Sequence, residues 1–185
     1  MSETAVEIPG YIAGNWTVDP VHSEVSFVVK HMMVSKVRGR FDTYSATVVT
    51  GADPLQSTVT ATVELTSVNT GSADRDNHIR SDDFFGIAEH PSMTFQSTGV
   101  RRDGDDFFLD GDLSLRGVTK PVTFNLEING FGPDAYGGTR AGFSATGEIN
   151  RSDFGVSYNG PIPGGGVAIS EKVTLHLEIE AVLDK

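Results

Sequence analysis

Thr58-Val59-Thr60-Ala61-Thr62-Val63-Glu64-Leu65 alternates polar and apolar side chains without a break. Val59, Ala61, Val63 and Leu65 share one face and Thr58, Thr60, Thr62 and Glu64 the other. That is the period-two signature of a β-strand with one buried and one wet side. The same period continues outward in both directions. Toward the amino terminus, a short strand fits Asn15–Val18, ended by Asp19-Pro20, and Glu24–His31 alternates with Val25, Phe27 and Val29 on one face. Met32–Lys36 fits a single helical turn, and a long strand covers Val37–Val49 up to the turn residues Gly51, Asp53 and Pro54. Toward the carboxyl terminus come Met93 and Phe95, then Phe107–Leu115 around Gly111, Val122–Ile128 after Pro121, Ala141–Ile149 around Gly147, and Val173–Ala181.

Half-wet strands belong to antiparallel sheets, because strands covered on both faces read as continuous apolar runs. No long amphipathic helix separates them, which removes βαβ folds. About eight strands joined by short Gly-, Asp- and Pro-rich turns make an all-β domain, either a sandwich or a closed barrel. The strands are long, and a barrel leaves no edges exposed, so an eight-stranded antiparallel barrel is expected. Its inward set mixes phenylalanines with Ala61, Gly111, Ala145 and Gly147. Such a set fits a tapered packed core or a lumen with room for one guest, and the strand length favours the guest.

Composition narrows the partners. The chain has 185 residues, a net charge of -11 and no cysteine. The acidity argues against nucleic acid, which needs a positive surface, and against an electrostatic membrane anchor. Without cysteine there is no disulfide framework or thiolate nucleophile. The opening MSETAVEIPGYIAG has no basic residue and no apolar stretch of signal-peptide length, and no run approaches a membrane-spanning helix. The expectation is one cytoplasmic domain over residues 14–185 after a flexible tail, 1–13, with monomer and homodimer both open.

One polar run stands apart from the strands: Asp74-Arg75-Asp76-Asn77-His78-Ile79-Arg80-Ser81-Asp82-Asp83, closed by Phe84 and Phe85. It reads as a crossing segment that braces a barrel end, with the two phenylalanines as an apolar plug and Arg75 ion-paired to Asp76. Asp74 is a candidate helix cap. The alternative is that Arg75, His78 or Arg80 receives the polar head of a ligand. The histidines, His22, His31, His78, His90 and His176, lack metal-ligand spacings, so no metal or other cofactor is expected. His22, His31 and His78 lie near strand ends where they could converge, and His22 with Asp76 and a serine would make a triad, although no nucleophile elbow is present. Gly164-Gly165-Gly166 lacks the lysine of a phosphate loop and reads as a flexible loop at a barrel mouth.

Six ordered motifs then carry a family resemblance: NWTVDPVHSEVSFVVKH (Asn15–His31), VRGRF (Val37–Phe41), SVNTGSADRDNHIRSDDFF (Ser67–Phe85), HPSMTFQS (His90–Ser97), GDLSLRGVTKPV (Gly111–Val122) and INRSDFGV (Ile149–Val156). Together they resemble the YceI family over nearly the whole chain. Two departures are the acidic opening, where many members carry a leader, and Ile79, where leucine is commoner. The resemblance implies an extended lipocalin-like barrel with a short helical or loop insertion, enclosing a long hydrophobic cavity. It implies binding, transport or storage of a polyisoprenoid or similar long-chain lipid, without catalysis. With strand parity, it points to Phe27, Val29, Val63, Phe95, Leu113, Phe124 and Phe143 along the pocket, with Arg75 and His78 at its polar end. His22 and Arg151 are motif residues without an assigned role. Two other classes stay in view: an enzyme using His22 or His78 with a carboxylate, and a histidine-ligated haem or metal protein.

Overall fold

Residues 7–32, 34–159 and 168–185 are described by the computed structural model. Eleven strand segments follow one another: β1 (Gly14–Val18), β2 (Glu24–His31), β3 (Ser35–Phe41), β4 (Tyr44–Thr50), β5 (Thr58–Glu64), β6 (Val68–Asn69), β7 (Ser92–Asp103), β8 (Asp106–Leu115), β9 (Val118–Pro133), β10 (Thr139–Asn150) and β11 (Ile169–Leu183). One α-helix, α1 (Ala73–Arg80), stands between β6 and β7. The strands form one antiparallel sheet in the order β1-β4-β5-β7-β8-β9-β10-β11, closed by the pairing of β11 with β1. That ring is an eight-stranded barrel.

The three remaining segments are continuations. β2 follows β1 along β11, β3 pairs with β2 below β4, and β6 pairs with β3 below β5. Each composite strand breaks at the same level: at Asp19–Ser23, at Asp42–Thr43, and at the 3-10 turn Leu65–Ser67. At each break the inward parity slips by one, from Val18 to Val25, from Phe41 to Tyr44 and from Leu65 to Val68. Pro20 contributes to the first break, since proline has no N–H for a ladder. The expected continuous strand Val37–Val49 is therefore two segments. The helical turn expected at Met32–Lys36 is the tip of the β2–β3 hairpin, where Met32 has φ 52 and strand pairing resumes at Ser35 with His31.

The two ends differ. At the helix end, Phe41, Leu65, Val68, Phe84 and Phe154 form the largest apolar cluster, with Leu65 fully buried. Burying a leucine completely stabilises a fold by roughly 1.5–3 kcal/mol. At the far end, Trp16 is fully buried and packs on Phe131 at 5.6 Å between ring centres. Its indole N–H donates to Thr50 Oγ1, which donates to the Ile12 carbonyl. Tyr11 lies edge-on to Phe131 and its hydroxyl donates to the Gly51 carbonyl at 2.6 Å. The segment read from sequence as a tail is docked over this end from Ile8 onward, because its apolar residues cover Phe131; residues 1–6 lie outside the described residues. Among the described residues no helix is long and apolar enough to cross a membrane.

Candidate functional site

The inward faces do not fill the barrel. Three chambers lie one above another along its axis, and successive chambers share lining residues. The lower chamber, about 310 Å³, opens beside α1. It shares Phe41, Met93 and Leu175 with a middle chamber of about 110 Å³. The middle one shares Val48, Val59, Leu109, Leu177 and Ile179 with a far chamber of about 100 Å³ beneath Tyr11. Phe27 and Val29 line the lower chamber with Arg75 and His78; Val63, Phe95, Leu113 and Phe124 line the middle; Phe143 lines the far one. All of the inward residues expected from parity face the lumen, since alternation along a strand decides which side each side chain takes.

Polar lining is concentrated at the mouth. Lys30, His31, Arg75, His78 and Arg151 contribute to the lower chamber, and among the described residues no carboxylate lines it. α1 sets this rim. Its N-cap is Ser72, not Asp74, with the Ser72 hydroxyl accepting from the Arg75 N–H at 3.3 Å. The Arg75–Asp76 ion pair does not form, because adjacent helix residues point about 100° apart. Both side chains turn instead to Thr70. Asp76, buried, accepts from the Thr70 N–H at 2.9 Å and the hydroxyl at 2.6 Å. Arg75, exposed, donates to the same hydroxyl and to the Thr70 carbonyl, each at 2.8 Å. Arg80 donates to the Thr66 and Val68 carbonyls. The run is thus a brace whose outer edge forms the mouth.

His78 carries the remaining geometry of the rim. Its Nε2 is 2.8 Å from the Asp83 carboxylate, and its ring stands edge-on to Phe84 and Tyr158, each at 5.0 Å. Arg151 was a motif residue without a role; in the fold it is a hub. Nearly fully buried, it donates to the carbonyls of Ser170, Val156, Tyr158 and Ile169, tying the turn after β10 to β11. Burial pushes the guanidinium below its usual pKa, though arginine stays charged. Tyr158, Phe41 and Met93 are not among the expected lining residues: Tyr158 lies in a segment without periodicity, Phe41 ends a strand at a break, and Met93 shares the strand and parity of Phe95 and could have been named with it. The Gly164–Gly166 loop lies outside the described residues.

The alternatives to ligand binding fare differently. His31 and His78 line one chamber, but His22 stands apart, bonded to Asp19 at 2.8 Å, while Asp76 is bonded to Thr70. The His22–Asp76 triad therefore does not assemble. Asp19, His22 and Glu180 do converge within metal-ligand reach. Arg140 already occupies that cluster, donating to Asp19 at 2.8 Å and Glu180 at 2.7 Å. It holds the Asp19 carboxyl well below the usual range, with His22 adding to the effect.

A family model described as the YceI-like domain matches residues 16–181. Protein YceI of Escherichia coli O17:K52:H18 (strain UMN026 / ExPEC) is 39% identical over 178 residues, 94% of this chain and 90% of that protein. Among solved structures, BcnA of Burkholderia cenocepacia superimposes with a TM-score of 0.76 at 24% identity, covering 88% of this chain and 98% of BcnA. A polyisoprenoid-binding domain from Saccharophagus degradans, implicated in plant cell wall breakdown, has the same fold at a TM-score of 0.65 and 18% identity, covering 91% and 98% of the two chains. A family model spanning the barrel from Trp16 to Ala181, together with a relative this similar over nearly its full length, makes the chain a member of the YceI-like family.

Proposed function

We propose that this protein binds a long-chain, isoprenoid-type lipid and carries or stores it without acting on it chemically. The observation that supports the reading best is the stack of apolar chambers whose cationic and imidazole lining, among the described residues, lies at one end. A linear apolar chain gains roughly 25 cal/mol for each Å² it withdraws from water, so such a lumen holds a lipid tail without polar anchors along its length. The polar head then rests at the mouth, where Lys30 and Arg75 offer cationic donors and the nearby carboxylate of Asp83 is taken up by His78. The Saccharophagus degradans barrel of the same fold is itself polyisoprenoid-binding, which favours this class of tail. Among the described residues, no serine or threonine hydroxyl bonds to the side chains of the His78–Asp83 pair, and the Ser81 hydroxyl is given to the His78 carbonyl, which favours binding over nucleophilic catalysis.

Native mass spectrometry of the purified protein, followed by organic extraction, tests the proposal. The expected result is a mass adduct that extraction releases as a long-chain lipid, and uptake of an added polyprenol by the emptied protein. Absence of both would overturn it.

A further inference from the structure

Three glycines are buried inside strands, Gly39 on β3, Gly111 on β8 and Gly147 on β10, and each lies under a phenylalanine ring from a neighbouring strand. A Cβ on Gly39 would meet three Phe27 ring atoms at 2.2, 2.6 and 2.9 Å. On Gly111 it would meet the Phe95 ring at 2.3 and 2.5 Å and the Gln96 carbonyl at 2.7 Å, and on Gly147 the Phe124 ring at 2.8 and 3.1 Å. None of the three has a left-handed backbone, so chain conformation does not demand glycine there. What each glycine supplies is a recess in the barrel wall.

Phe27 lines the lower chamber, and Phe95 and Phe124 line the middle one. Lying in its recess, a ring covers the wall; raised by a Cβ, it would stand into the lumen. Phe95 and Phe124 are also edge-to-face at 5.6 Å, so lifting one displaces the other. The middle chamber, at about 110 Å³, shares lining residues with both the lower and the far chamber, so a tail reaching from the mouth to the far end crosses it.

We propose that the Phe95–Gly111 and Phe124–Gly147 pairs set the bore of the middle chamber and thereby the length of lipid tail the barrel accepts. This rests on the lipid-binding reading and adds the residues that select among tails. A short tail occupies the lower chamber alone; a long one must pass the two rings.

The test compares farnesol, a three-isoprene alcohol, with solanesol, a nine-isoprene alcohol, by native mass spectrometry on delipidated protein. Trp16, the one tryptophan, packs on Phe131 at the far end and reports arrival there by its emission. Wild type is expected to take both alcohols, with solanesol alone shifting the emission. Gly147→Ala should weaken solanesol at least about tenfold, abolish the shift and leave farnesol within about twofold. Adding Phe124→Leu, which removes the displaced ring, should restore solanesol. The new Cβ would also stand 3.0 Å from the Thr123 carbonyl, so Gly39→Ala, whose three nearest contacts are all Phe27 ring atoms, is a second variant. Narrowing the chamber that receives both tails, Gly39→Ala should weaken both alcohols alike. Equal loss of the two alcohols in Gly147→Ala, failure of the Phe124→Leu rescue, or unchanged binding in Gly39→Ala would each overturn the gauge. A wild type that takes neither alcohol would instead overturn lipid binding itself.

Discussion

The Tyr44 hydroxyl is the one buried side-chain polar atom without a hydrogen-bond partner among the described residues. The ring lines the middle chamber, and burial, with Glu24 and then Asp19 nearby, pushes the phenol above its usual pKa. Ser23 offsets that rise in part, but its hydroxyl makes its hydrogen bonds to the backbone of Glu180, as donor to its carbonyl and acceptor from its N–H. An orphaned buried hydroxyl costs stability that a same-shaped apolar group does not. Tyr44→Phe is therefore expected to stabilise the fold by about 1 kcal/mol, or about 2–4 °C in Tm for a chain of this size. A drop in Tm would show that the hydroxyl has a partner in solution. Residues of this kind were not legible in the sequence. Parity tells that Phe27, Phe95 and Phe143 face inward, but satisfaction of a polar atom depends on neighbours far along the chain. The same limit explains why Arg75 and Asp76 read as a pair when Thr70 takes both.

At the scale of elements, the segment after α1 is held down by a turn on the other side of the mouth. Arg116 and Gly117 join β8 to β9 with φ of 51 and 74, the two left-handed positions of a tight hairpin turn. Arginine is a poor residue for the first of them, yet its guanidinium donates to the Phe84 carbonyl at 2.5 Å and so latches the plug to the hairpin. Arg116→Asn exchanges the latch for a residue that tolerates the turn. The expected outcome is an unchanged or slightly raised Tm, with faster hydrogen exchange at the amides of Phe84 to Ile87, which bond only within their own loop and α1. Unchanged exchange would show that the plug is held without Arg116. Elements of the barrel itself were readable because period-two alternation survives in every long strand. What alternation hides is a register slip: from Phe41 to Tyr44 the parity changes across two exposed residues, and the run still looks like one strand. α1 has no apolar face to betray it, since Asp76 is its buried residue, so the sequence supported only a short insertion there.

For the molecule as a whole, the joint that matters is where the first strand meets the last. β1 and β11 share three register pairs, ending at Val18–Ala181, and the Asp19 N–H then donates to the Glu180 carbonyl. The cluster around Arg140 clamps this seam: its guanidinium reaches Asp19, Glu180 and, through Nε at 3.0 Å, Asp134 in the β9–β10 connection. Arg140 is held above its ordinary pKa by Asp19 first and Asp134 next, and Asp19 is held below its ordinary 3.8 by Arg140. The sign of the pH effect follows. A carboxylate whose folded pKa lies below its unfolded value stabilises the fold fully above the unfolded value and loses that contribution as pH falls through the folded one. Stability should therefore be level from neutral pH down to about 5 and decline below about 4. Asp110, paired with Arg101, and Asp42, bonded to Asn69 and Arg40, are depressed as well, so wild type alone does not isolate the seam. Arg140→Gln does. It should lower Tm by a few degrees at pH 7 and show a shallower acid decline than wild type, the gap narrowing only as pH falls toward the depressed folded value of Asp19. Because these groups are partly exposed, molar salt should shrink the difference at pH 7. Parallel curves for the two proteins across the acid range would mean that Arg140 does not set the charge state of Asp19, and that β-ladder pairing and Trp16 packing hold the barrel closed without it.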